Sequence, residues 1–276
     1  MWDRIEPLMP ADPVRGRRWA DHRRTLEAIA WKYRTNSPWR DLPDELGSFQ
    51  TAHKRLIRWA VDGTWEMILA AVLAAADADD DIDWTVSVDS TVVRAHQHSA
   101  GARKKGAVRS GEPADHALRR SRGGLSTKVH LAADGGARPL AFTVTAGQAG
   151  DAPVFETVMS RIRVPRSGAG RPRTRPLVVL ADRAYSSRAI RSHLRRRGIR
   201  AVIPQPSDQI GHRLRRGRRG GRPPGFDADA YKQRNTVERC INRLKQWCGL
   251  ATRNDKLAIA YEAALHLAGI LIWTRR

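Results

Sequence analysis

Cysteine is nearly missing: Cys240 and Cys248 are the only two in 276 residues, and both fall in one helical stretch. At that spacing they neither bridge within a helix nor form a Cys-x-x-Cys zinc pair. A disulfide framework is excluded, and core packing in a reducing compartment is expected. Long apolar runs are missing as well. The last, Leu265 to Trp273, falls short of the roughly 20 residues a membrane-spanning helix needs, and the N-terminus lacks a signal-peptide pattern. A cytoplasmic location without membrane contact is expected. No Gly-Lys-Ser/Thr phosphate loop occurs, so ATP use is not expected. His96 and His98 have no further Cys or His at zinc spacing and read as structural or DNA-facing. No internal repeat is present.

Negative charge is scarce. The chain carries 50 Lys and Arg against 28 Asp and Glu, a formal charge of +22. Such an excess repels itself unless a counter-charge is near, and nucleic acid is the natural partner because phosphate contacts release counterions. Arg far outnumbers Lys, and its planar fork suits phosphate. Generic solubility or a ribosome-associated role is the plainer alternative. The 41% hydrophobic content suffices for a folded core.

Patterning divides the chain. Residues 1–76 read as a small all-α domain. A first helix carries Leu26, Ile29 and Tyr33, and Trp39-Arg40-Asp41-Leu42-Pro43 forms a turn. Ser48 then caps a basic helix, Phe49 to Val61. That outline is helix-turn-helix-like and places Lys54, Arg55 and Arg58 as candidate DNA contacts. An ordinary bundle with a solvated basic face is the alternative, and Trp39, Trp59 and Trp65 read as its core. The acidic run 77–83 reads as a linker, since crowded like charges resist packing.

Residues 84–276 read as an α/β domain with a mixed sheet. Strand-like segments cover 84–89, 125–132, 140–145, 177–181 and 201–203. Two Gly- and Arg-rich stretches, about 97–123 and 205–226, read as loops that order on phosphates. The first contains Arg103, Lys104 and Lys105.

Asp89 ends the first apolar strand, and Asp182 follows Val178-Val179-Leu180-Ala181. Carboxylates at the ends of adjacent central strands can meet at one edge of a sheet, although a lone strand-end Asp is more often a turn or cap. Asp115 and Asp151 are further acids that end no apolar strand. Glu238 lies on a helix. At about 100° per residue, Tyr231, Arg234, Glu238, Asn242 and Lys245 share an arc of roughly 80° beside an apolar stripe of Val237, Ile241, Leu244 and Cys248. Helix geometry alone leaves two readings, a functional carboxylate between cations or a solvated face with an Arg234–Glu238 pair.

Tyr231-x2-Arg234-x3-Glu238-x6-Lys245 resembles the Y-R-E-K signature of the insertion-sequence transposases of the IS4 and IS5 families. Val-Asp89-Ser-Thr and Ala-Asp182-Arg-Ala-Tyr resemble that group's two catalytic aspartate motifs. Trp39 to Pro43 and Arg122 to Lys128 are also similar to IS5-type sequences. The resemblance implies an RNase H-like catalytic domain with Asp89, Asp182 and Glu238 as catalytic and metal-binding residues. It implies Mg²⁺ or Mn²⁺, two ions in all, with no covalent protein–DNA intermediate. Tyr231, Arg234 and Lys245, with Arg183 nearby, would grip double-stranded DNA. The substrates would be transposon terminal inverted repeats and target DNA, acted on by a homodimer at the bacterial nucleoid. A DNA-binding regulator that keeps only the fold, and a structure-selective nuclease, are the other readings.

Overall fold

The computed structural model describes residues 1–15, 18–102 and 110–275 of the chain. Its N-terminal region is helical: α1 (Trp2–Ile5), α2 (His22–Thr35), α3 (Phe49–Val61) and α4 (Thr64–Ala78). The Asp21 carboxylate caps α2 by accepting from Arg24 N at 2.6 Å, and Asn36 ends it in the left-handed region at φ 61°. Pro38 and Pro43 then head two 3-10 turns, Trp39–Asp41 and Asp44–Leu46. The α2–α3 connection therefore occupies residues 36–48, far more than the roughly three- to four-residue turn of a helix-turn-helix. Ser48 sits at the N-cap position of α3, but its hydroxyl bonds Gln50 Oε1 at 2.5 Å rather than a backbone N–H.

The acidic run is packed, not a free linker. Asp77 lies inside α4 and accepts from the Trp84 indole at 2.9 Å. Asp81 pairs with Arg138 at 2.7 Å, and Asp83 accepts from Thr85 N at 2.9 Å. Ile82 and Trp84 between them are buried. Like charges in sequence are separated in space, because these three turn to different partners.

The rest of the chain follows as β1 (Thr85–Ala95), α5 (Gln97–Ala100), β2 (Arg119–Ser121), β3 (Gly124–Ala133), β4 (Pro139–Ala146), α6 (Asp151–Arg161), β5 (Val178–Ala181), α7 (Arg188–Arg196) and β6 (Arg200–Val202). Then come α8 (Ser207–Arg215), α9 (Ala228–Tyr231), α10 (Asn235–Lys245), α11 (Cys248–Ala251), β7 (Thr252–Arg253) and α12 (Ala258–Thr274). The sheet order is β2-β3-β1-β5-β6, with β4 also on β3 and β7 against the end of β1. Pairs β1–β3 and β3–β4 are antiparallel, while β1–β5 and β5–β6 are parallel. This is the mixed sheet of an RNase H-like fold. The stretch 205–226 is not simply a loop: α8 and a 3-10 turn, Gly217–Gly220, lie within it. Gln209 ties α8 down by donating to Ser186 O at 2.6 Å.

Strand alternation assigns the faces. Ser87 and Thr91 turn toward α10, bonding Thr236 at 2.9 Å and Lys245 at 2.6 Å, so Asp89 between them faces the same way. Ser90 turns to the other face and donates to Asp151 of α6 at 2.5 Å. On the α10 face, α12 packs over β4, with its Trp273 indole donating to Pro139 O at 2.7 Å. Helices α2, α3 and α4 pack in turn on α12, and one continuous apolar core joins them to the sheet. The apolar run near the C-terminus is thus a buried core helix. Among the described residues no single helix is long and apolar enough to cross a membrane; α3 and α4 reach the length only as a pair bent by 73°.

Candidate active site

The parallel register Val88↔Ala181 brings the next residues, Asp89 and Asp182, to neighbouring positions where β1 and β5 meet. Asp182 caps the 3-10 turn Arg183–Tyr185, its Oδ1 accepting from Ala184 N at 2.9 Å. Glu238 stands in the first turn of α10, which lies across β1. Between these acids sits Arg234. Its Nη2 donates to Asp89 Oδ2 at 2.5 Å and its Nη1 to Glu238 Oε1 at 2.5 Å. The helix-face pairing of Arg234 with Glu238 is therefore real, but the same guanidinium also reaches the strand.

Burial raises the Asp89 carboxyl above its ordinary range, and the Asp182 and Asp151 charges push the same way. The Ser90 N–H and Arg234 oppose them. Burial alone would lower the Arg234 guanidinium, but Asp89 and Glu238 outweigh it and hold it above its usual value. Asp151 is drawn in from the opposite face, with Lys128 Nζ 3.0 Å away. His130 Nδ1 lies 3.7 Å from Asp151, yet burial lowers its pKa to about 4, so it is neutral near pH 7 and forms no ion pair there. Tyr185 is buried beneath the acids, and burial first, then Asp151 and Asp89, pushes its phenol far upward. Sequence reasoning missed Tyr185; its place directly after Asp182-Arg-Ala was the available signal.

Every nearby carboxylate offers hard oxygen donors, which suit Mg²⁺ or Mn²⁺. Three buried polar atoms, Tyr185 Oη, His130 Nδ1 and Arg234 Nε, have no hydrogen-bond partner among the described residues. The carboxylates, though not the guanidinium, thus fit a divalent cation in kind. Among the described residues no three His, Cys, Asp or Glu side chains stand close enough to share one ion; the Arg234 guanidinium bridges Asp89 and Glu238.

The remaining candidates fall in several places. Lys245 reaches Thr91, two residues beyond Asp89 on the same face. Tyr231 ends α9, separated from α10 by the 3-10 turn Lys232–Arg234, with its ring 5.3 Å from Phe226. Arg183 is exposed beside Asp182, and Lys54 and Arg58 are exposed on α3. Arg55 is not an exposed contact. It is 5% exposed, its Nη1 lies 3.0 Å from His22 Nδ1, and its guanidinium stacks 4.0 Å from the centre of Trp19. Its turn of α3 faces the core. Arg103, Lys104 and Lys105 lie outside the described residues. Trp59 and Trp65 are core residues, as expected. Of the two cysteines, Cys240 is buried but Cys248 is exposed, because a break at Gln246–Trp247 takes it off the α10 stripe. His96 and His98 meet edge to face, ring centres 4.6 Å apart.

The mixed sheet thus carries aspartates at the junction of two parallel strands and a glutamate on the helix laid across them. Residues 81–273 match the family model described as a transposase DDE domain, and residues 1–69 match the one described as a putative transposase of the IS4/5 family. The chain belongs to the family of transposases with a DDE domain, and its first 69 residues match the IS4/5 description. It is similar to a putative transposase for insertion sequence element IS6501 of Brucella ovis, 28% identical over 155 residues, covering 55% of this chain and 100% of that one. An uncharacterized protein of Sinorhizobium fredii is 38% identical over 105 residues, which is 37% of this chain and 79% of its own length. Among solved structures, the Mos1 transposase paired-end complex with left transposon end overlaps 97% of this chain and 82% of its own, at 14% identity and a TM-score of 0.27.

Proposed function

We propose that Asp89, Asp182 and Glu238 hold two divalent ions, Mg²⁺ or Mn²⁺, and that this enzyme cuts transposon terminal inverted repeats and joins them to target DNA. Such a metal pair, when bound, supplies an activated attacking oxygen and a stabilised leaving oxygen at the scissile phosphate. The observation that carries the reading is Arg234, a cation bonded to Asp89 and Glu238 at 2.5 Å each in a cleft where acids outnumber it. A cluster that already draws in a guanidinium has the charge and oxygen chemistry for a divalent ion.

The protein's own groups do the rest. Asp89 would be the central ligand, since it stands between Asp182 at the end of the adjoining strand and Glu238 on the covering helix. Arg234, Lys245 and Tyr231 border the same cleft and suit the terminal phosphates; Arg183, Lys54 and Arg58 extend the cationic surface. Water or a DNA 3′-hydroxyl gives up its proton to solvent as its oxygen bonds the phosphorus, the P–O3′ bond breaks, and the displaced 3′-oxygen takes up a proton and leaves with the severed part of the same strand. Two ends are joined in one event, which calls for a homodimer on DNA. No nucleotide triphosphate is needed, and the cytoplasm, at the nucleoid, is where the substrate lies.

The test is a gel assay with purified chain and a duplex carrying the terminal repeat that flanks the gene. Nicks at the repeat boundary in Mg²⁺, none in EDTA, and joining of the cut end to a second duplex are expected. Metal-independent nicking, or binding without nicking, would falsify the reading.

A further inference from the structure

Alongside α7 runs a second cationic feature that the carboxylate cleft does not use. A groove of about 1010 Å³ separates α7 from α8 and the segment that follows it. Arg188, Arg191 and Arg195 line one wall, and Arg213, Arg216 and Arg222 the other; among the described residues none of the lining groups is acidic. Arg191 is pinned in place by donating to Ile203 O at 2.7 Å and to Ser186 Oγ at 3.0 Å, so at least part of the wall is preformed. Among the described residues that line it, His212 is the only aromatic ring. A site that stacks bases needs aromatic faces, whereas a site that follows a backbone needs a row of cations. This groove is of the second kind.

Its position narrows the occupant. Ser186, at the groove's inner end, is four residues past Asp182. Helix α7 packs on the α6 face of the sheet, where Phe155 meets Tyr185 at 5.7 Å and His193 lies 3.4 Å from Glu156. Glu238 and Lys245 come from α10, and Arg234 from the 3-10 turn just before it, on the other face. The aspartates thus stand at the seam between two cationic surfaces, one from each side of the sheet. Strand transfer brings two DNA segments to one set of carboxylates: the end that supplies the hydroxyl and the duplex whose phosphate is attacked. A single cationic surface serves one of them.

We propose that the α7–α8 groove holds the phosphate backbone of the second segment, the target duplex, while the α10 face holds the transposon end. The assignment rests on the transposase reading of the carboxylate cleft. The variant Arg195→Gln/Arg216→Gln/Arg222→Gln removes three exposed charges and leaves Arg191 and both cleft faces intact. With full-length protein, binding of a labelled duplex unrelated to the terminal repeat is measured across a salt series. Joining of a pre-cut terminal-repeat duplex to that same target is measured in parallel. The slope of log K against log salt should shrink by up to about 3 units, and joining should fall about tenfold or more. Binding and first-strand cleavage of the terminal repeat should stay within about twofold. The Arg→Lys version of the same three positions, which keeps the charge, should recover most of the loss, and unchanged melting of both variants excludes misfolding. An unchanged salt slope, or a loss of end binding that parallels the loss of joining, overturns the assignment. If the unaltered chain cuts no ends, the transposase reading fails instead, and the unrelated-duplex arm still decides whether the groove binds DNA.

Discussion

Two arginines mark two regions that are equally charged in sequence and opposite in character. Arg234 sits in the cleft between Asp89 and Glu238, on carboxylates. Arg253 is fully buried where the N-terminal helices meet the sheet, and it donates only to uncharged acceptors: Asp255 O at 3.0 Å, His116 O at 2.9 Å, Ala117 O at 3.3 Å, Thr127 Oγ1 at 3.2 Å and Lys256 O at 3.4 Å. Its own donors are matched, although the neighbouring Asn254 Oδ1 is buried without a partner among the described residues. Glu112 caps α12 by accepting from Ala258 N at 2.9 Å and Ile259 N at 3.1 Å, and Tyr33 of α2 donates to half-buried Asp255 at 3.0 Å. The cleft instead leaves Tyr185 Oη, His130 Nδ1 and Arg234 Nε without partners among the described residues. Buried charge with its hydrogen bonds complete holds a fold together, whereas a crowded, incompletely matched cluster at a surface is poised for a ligand.

The contrast breaks if substitutions in the two regions have similar effects. The largest separation is expected from Asp89→Asn, which should lower single-turnover cleavage by at least ~10³-fold, since several kcal/mol of charge stabilisation are lost and each 1.36 kcal/mol is tenfold. Its stability by urea denaturation should stay within about 1 kcal/mol, because the lost Arg234 contact is offset by relief from neighbouring acids. A collapse in stability would make Asp89 a folding residue.

Next in size is Arg253→Met, expected to cost about 3–5 kcal/mol by the same denaturation, as breaking a buried charged network does. A variant of wild-type stability would dissolve the junction's claim to a structural role. The cleft's own coupling to folding shows in acid. His130 is held neutral in the fold, with its pKa lowered from 6.5 to about 4, so the unfolded chain binds the extra proton between those values. Stability should therefore fall as pH drops through that window, by on the order of 2–3 kcal/mol at its lower end. His130→Gln should flatten this part of the pH profile, and an unchanged profile would mean that His130 titrates normally. The smallest effect is expected at the α12 cap. Glu112→Gln keeps an acceptor but removes the charge, costing about 1 kcal/mol in thermal unfolding, and a loss several times larger would show the cap to be a keystone of the junction.

Local pattern made much of the cleft legible. Val86 and Val88 alternate into a strand, Val178 to Ala181 form a buried one, and Tyr231 to Lys245 repeat at helical spacing, so the elements bearing Asp89, Asp182 and Glu238 could be read from neighbours in the chain. Arg55 misled because its charge outweighed its helix face: position 55 points inward, where Trp19 and Trp59 enclose it. The acidic run misled for a related reason, since Arg173 and Arg138, which meet Asp77 and Asp81, are remote in sequence.

The order of residues alone gave away most of the strands and helices and the family resemblance with the carboxylates it implies, because periodicity and short motifs act over a few residues. Tertiary structure alone decided that Arg234 reaches across to Asp89, that Arg253 is sealed among carbonyls, and that six arginines form two walls of one groove. Whether a charge is matched, buried or left open depends on groups brought from distant parts of the chain, and only folding brings them together.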